Sequence, residues 1–308
     1  MKFALFVALG VVGAVYLAVL VAAVQSARAR AGAERVAPGL FELLLGFVTS
    51  FFDTLGIGSF APTTAALKLR RRVADEDIPG TLNVGHTLAT IAQAFIFIAI
   101  VTVDMKTLVF MIGAAVLGSW VGAGFAADAP RRKIQLAMGV ALLVAAVFFV
   151  MKNLDKSVQG GEALTLSGWP LAVGLVGNFV LGALMEVGVG LYAPCMVLVS
   201  LLSMNPTAAF PIMMGSCAFL MPVGSIRFIR SGRYSLRAAL GLSVAGVPAV
   251  LIAAFVVKSL PLVTLRWLVI AVVLYAAVSM LRSAYVESRA KARVTEPLPA
   301  GPGSAEAS

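Results

Sequence analysis

Hydrophobic positions in this chain do not alternate with polar ones. They run on. Stretches free of any charged side chain cover Phe3 to Ala27, Ile78 to Val103, Thr107 to Ala127, Ile134 to Met151, Ala163 to Met185 and Val187 to Ile226. An α-helix needs about 20 such residues to cross the hydrocarbon core of a bilayer. Most of these runs have that length, and the last has room for two membrane elements. The pattern predicts an all-α polytopic membrane protein, with little of the chain left for loops.

Two of the apolar regions are interrupted. DTLGIGSFAP (Asp53 to Pro62) places a carboxylate, two glycines and a proline inside a greasy segment, and VGVGLYAP (Val187 to Pro194) repeats its glycines, alanine and proline 132 residues later. Further pairs follow in order: Gly85 with Gly215, Gly113 and Gly118 with Gly241 and Gly246, and Leu142–Val147 with Val273–Val278, at offsets of 128 to 132. One such match is easily accidental, but an ordered series indicates a duplicated unit. The expected organisation is an N-terminal transmembrane anchor helix (1–27), a first repeat (38–152), a second repeat (163–285) and a disordered C-terminal tail (294–308).

Each repeat opens with a broken segment. In the first, Phe41 to Phe52 and Ser59 to Lys68 are each about ten residues, roughly 15 Å as helix, half a bilayer. Read as re-entrant hairpins, the two broken segments put 18 of the 24 basic residues on the inner side, whereas full crossings would leave 14 there. The positive-inside rule favours the hairpins. Each repeat then has three further crossings, so the second copy enters from the opposite side. Inverted-topology repeats with broken helices are a transporter signature. The N-terminus is expected outside and the C-terminus in the cytoplasm.

Composition agrees and narrows the function classes. Of 308 residues, 60% are hydrophobic and 12% charged, and mean hydropathy is +0.99. The net charge of +10 lies in short loops and sets orientation; it predicts no nucleic-acid partner. Phe3 to Ala27 is about twice the length of a signal-peptide core and is followed by Arg28 and Arg30, which marks a retained helix. Cys195 and Cys217 sit in apolar segments and read as packing. One histidine is too few for a haem or metal site, and no cofactor, nucleophile and base pair or nucleotide loop is found.

Candidate chemistry gathers at the breaks. The second half-helices begin near Ser59 to Pro62 and Leu191 to Pro194, with Pro62 and Pro194 where a missing amide is harmless. Their free N–H groups and partial positive charge suit a small anion. Gly56, Gly58, Gly188 and Gly190 would let it approach the backbone, the alternative being close helix packing. Asp53 and Glu186 flank the tips, where a carboxylate costs about 2.5–3.5 kcal/mol on insertion scales. They are proton-coupling candidates, or carboxylates capping nearby amides. His86, the lone histidine, is a third candidate relay, or packing. Ser59, Thr63, Asn83 and Ser216 could line the same cavity, and Trp169 and Trp267 fit interfacial anchors.

At these residues the chain resembles the sulfite exporter TauE/SafE family, also called toluenesulfonate uptake permeases. The resemblance covers about residues 40 to 285. Its motif falls on Gly56, Gly58 and Pro62 and on Gly188, Gly190 and Pro194; Ser59 and Leu191 stand where a further glycine is common. The resemblance implies a secondary carrier of sulfite, an organosulfonate or a related organic anion in the bacterial inner membrane. The expected partners are the anion, the lipid bilayer and a second copy of the chain as an oligomer. An anion channel, or a membrane accessory protein without catalysis, is the alternative.

Overall fold

The computed structural model describes residues 1–31, 36–128, 130–154 and 161–256, with single positions between 270 and 285. Trp267 and the tail 294–308 lie outside the described residues. Ten helices follow one another among them: α1 (Lys2–Ala31), α2 (Leu40–Thr54), α3 (Phe60–Arg70), α4 (Ile78–Ile100), α5 (Met105–Asp128), α6 (Arg131–Asn153), α7 (Gly168–Met185), α8 (Tyr192–Leu201), α9 (Ala209–Ser231) and α10 (Leu236–Val256). Short 3-10 turns precede α4 and α9. No strand occurs among these residues, only an isolated bridge between Ala163 and Met204.

Six helices, α1, α4, α5, α7, α9 and α10, are long and apolar enough to cross a membrane. The helices are turned inside out relative to a soluble protein. On α2, Leu40, Leu44 and Val48 are exposed, while Glu42, Thr49, Ser50 and Asp53 are buried. In water that arrangement would cost twice, once for each face. In a bilayer the apolar stripe meets lipid tails, and the protein interior satisfies the polar groups. The chain is therefore a multi-pass helical membrane protein.

Helix ends are set by local chemistry. The Glu42 carboxylate returns to the Gly39 amide at 2.9 Å to start α2. Asp104 caps α5 by accepting the Thr107 amide (2.8 Å) and hydroxyl (3.0 Å), and those bonds hold its carboxyl below the usual carboxylate range. Gly232, at φ +71°, closes α9 in the left-handed conformation that glycine adopts without penalty.

Close backbone approach fixes the packing. A Cβ on Gly118 would collide with the Phe179 carbonyl, and one on Gly182 with the Ala115 carbonyl, so α5 and α7 meet with nothing between their backbones. Such small-residue contacts are how membrane helices associate without a hydrophobic drive. Likewise α2 lies against α10, and α4 and α9 cross at the centre, each also flanked by α10 or α5. Helix α1 runs antiparallel to α4, with Lys2 Nζ on the Ala99 carbonyl (2.9 Å) and Tyr16 donating to the Val84 carbonyl (2.6 Å).

Charge collects where α4 begins. Lys68 pairs with Asp75 at 2.5 Å, Gln135 donates to the same carboxylate at 2.8 Å, and Arg233 lies 3.6 Å from Asp77. Arg70 and Arg72 cover the Phe41 ring at that end.

Candidate functional site

Both breaks anticipated from the glycines are present, and their backbones are bonded in the same way. After α2, the amides of Leu55, Gly56 and Ile57 donate to Phe52, Asp53 and Phe52 carbonyls. After α7, the amides of Val187, Gly188 and Val189 donate to Leu184, Met185 and Leu184 carbonyls. Gly56 (φ +80°), Gly58 (φ +87°) and Gly188 (φ +91°) take left-handed conformations, which a side chain would strain. Gly190 is not among them. Pro62 and Pro194 occupy the third positions of α3 and α8, where no intrahelical donor is lost.

The two tips abut. A Cβ on Gly58 would stand 3.9 Å from the Tyr192 Cβ, and one on Gly190 would stand 3.5 Å from the Phe60 Cβ. Each glycine of one tip thus faces the aromatic residue that starts the half-helix of the other. Between them lies a cavity of about 20 Å³ lined by Asp53, Gly58, Ser59, Phe60 and Thr90 from the first half of the chain and by Met185, Gly190, Leu191, Tyr192, Cys217 and Met221 from the second. That volume holds about one water molecule. Its polar groups come mostly from the first half of the chain and its sulfur-bearing residues from the second.

Asp53 is held in place by Gln93. The Gln93 amide nitrogen donates to Asp53 Oδ2 (2.8 Å) and Thr54 Oγ1 (3.0 Å), and the Gln93 oxygen accepts from the Tyr192 hydroxyl (2.6 Å). Ser59, which precedes α3, lines the cavity together with Asp53. The first half-helix N-terminus is therefore next to a carboxylate supplied by the chain itself. Among the described residues no basic side chain lines the cavity.

Other residues singled out from the sequence lie off the cavity. His86 is buried, with Nδ1 3.3 Å from Ser50 Oγ and Nε2 3.0 Å from Thr63 Oγ1, so it ties α2 and α3 to α4. Asn83 donates to the Pro79 carbonyl (3.1 Å) within α4. Ser216 accepts from Asn178 at 2.9 Å between α7 and α9. Glu186 is fully buried, its Oε1 accepting from Ser119 Oγ at 2.5 Å and its Oε2 without a hydrogen-bond partner. A Cβ on Gly224 would fall on that carboxylate. Arg227, one turn further along α9, lies 5.4 Å over the exposed Trp120 ring.

Gln93, Tyr192 and Thr90 were not expected at the site. A glutamine in the charge-free run of α4 was the available signal, since burying an amide demands partners. The sulfur lining had none, because Cys217 and its methionines look like ordinary apolar packing in sequence. No described group of three or more His, Cys, Asp and Glu residues could hold a metal ion. Comparison with protein-family models, curated proteins and solved structures returns no match.

Proposed function

We propose that the chain is a secondary transporter that moves a small anion, such as sulfite, an organosulfonate or a related organic anion, by alternating access. In this reading it is a member of the TauE/SafE type in a bacterial inner membrane. Residues 38–152 and 163–285 form two inverted-topology repeats, each a re-entrant hairpin plus three crossings. The observation that carries the reading is the meeting of two glycine-bearing tips, Gly58 against Tyr192 and Gly190 against Phe60, around one shared cavity. The matching backbone bonds at the two breaks support the duplication.

No basic side chain lines the cavity among the described residues, so the attraction for an anion comes from the amides at the starts of α3 and α8. Asp53 occupies the first of these positions, and a proton on Asp53 would free it for the substrate. At about 20 Å³ the cavity is closed to an oxoanion, so the tips must part to admit one. The basic residues Lys68, Arg70, Arg72 and Arg233 at the end where α4 begins support a cytoplasmic position for that end, with the N-terminus outside.

The test is uptake of labelled sulfite and of an organosulfonate into proteoliposomes. Saturation with counterflow supports a carrier, and linear flux without counterflow indicates a channel. No flux with any small anion would leave the accessory-protein alternative standing.

A further inference from the structure

Three of the six residues that the second half of the chain contributes to the cavity wall carry sulfur. Cys217 Sγ lies 3.5 Å from Met185 Sδ, close enough for one ion to touch both. Met221 follows Cys217 by four residues on α9, which puts the two on one helical face, and all three residues line the cavity. Asp53 lines the same cavity. Cys217 and Met185 are buried at 0% and 2% exposure, on different helices that meet at the tip.

We infer that Cys217, Met185 and Met221 form a binding site for one soft monovalent metal ion of the Cu(I) class. Thiolate and thioether ligands select soft ions; zinc accepts thiolate but is held by Cys, His, Asp or Glu sets rather than by thioethers, so two methionines beside one cysteine favour Cu(I), and hard cations take oxygen ligands. The cavity of about 20 Å³ has room for a single ion and not for an oxoanion. Binding replaces the Cys217 S–H bond with a sulfur–metal bond, and the displaced proton leaves the site, so one proton is released per ion bound. The site does not rest on the anion reading: the two assign different ligand classes to one cavity, and either can fail alone.

The experiment titrates Ag(I), and Cu(I) against a competing chelator, into the reduced full-length protein in lipid nanodiscs with chloride-free buffer. One ion per chain is expected, with sulfur scatterers in its X-ray absorption spectrum and one proton released. Cys217→Ser should weaken binding at least a hundredfold. Met185→Leu, which keeps volume and apolarity, should weaken it about tenfold and guards against loss of fold. Cys195→Ser should change it little. Absence of a stoichiometric site, or binding that survives Cys217→Ser and is lost in Cys195→Ser, overturns the proposal. Stabilisation by sulfite or sulfonates but not by Ag(I) would overturn it while leaving the anion reading intact.

Discussion

Tyr192 donates its hydroxyl hydrogen to the Gln93 side-chain oxygen at 2.6 Å across 99 residues of sequence. Because Gln93 also donates to Asp53 and Thr54, one phenol on the second tip holds the carboxylate of the first. The bond links the two halves of the chain beside the cavity.

Tyr192→Phe removes that donor and leaves the Gln93 oxygen buried without it. An unsatisfied buried acceptor costs about 1–3 kcal/mol. The variant should unfold at a correspondingly lower denaturant concentration. Gln93→Leu in the same background should add less than it does alone, because both substitutions break one network. Full additivity would mean that the two residues are not coupled.

Helix packing offers a contrast within α5. Gly118→Ala places a methyl group on the Phe179 carbonyl, whereas a Cβ on Gly113 meets nothing within 4 Å. Gly118→Ala should destabilise the protein, by about 1–3 kcal/mol for overpacking. Gly113→Ala should be neutral or stabilising by about 0.5–1 kcal/mol through helix propensity. Thermal unfolding of the two variants side by side decides it, and equal behaviour would contradict the close α5–α7 contact.

Outside the membrane, the Asp104 cap carries a pH dependence of known sign. Its folded-state carboxyl is held below the usual range by the Thr107 amide and hydroxyl. The stabilisation is fully present above the ordinary carboxylate range and is lost as pH falls through the lowered folded value. Asp104→Ala should cost about 0.5–2 kcal/mol at neutral pH. The gap between the variant and the parent should close on acidification, as followed by unfolding at a series of pH values.

His86 joins Ser50 on α2 to Thr63 on α3. His86→Leu should therefore leave two buried hydroxyls without these partners and loosen the first hairpin, seen as faster amide exchange at residues 50–63. His86→Gln, which can both donate and accept, should recover most of the protection. If His86 instead relays protons, glutamine would restore protection but not the pH dependence of flux.

Much of this was legible in the sequence because backbone breaks need particular residues wherever they fall. Gly56, Gly58 and Gly188 located both tips from a pattern of glycine and proline alone, and the length of the apolar runs gave the membrane class. What could not be read is who touches whom. Gln93 and Asp53 are 40 positions apart, and their bond depends on how α4 packs against α2. The two carboxylates flank the tips at positions that do not match in the repeat, Asp53 aligning with Met185 and Glu186 with Thr54, and only packing decides their roles: Asp53 lines the cavity while Glu186 turns to Ser119 and Gly224. The sulfur face stayed hidden for a related reason: methionine and cysteine are common packing residues, and only their convergence on one space gives them a second meaning.

The most direct measurement of the central claim is the thermal stability of the purified protein against sulfite, sulfonates, carboxylates and simple cations. A ligand at 100 times its dissociation constant adds about 2.7 kcal/mol. The account predicts a rise with one class of small anion that disappears in Gly58→Leu and in Gly190→Leu, whose side chains would fill the space between the tips. No response to any anion, or an anion response unchanged in both variants, would contradict an anion site at the tips.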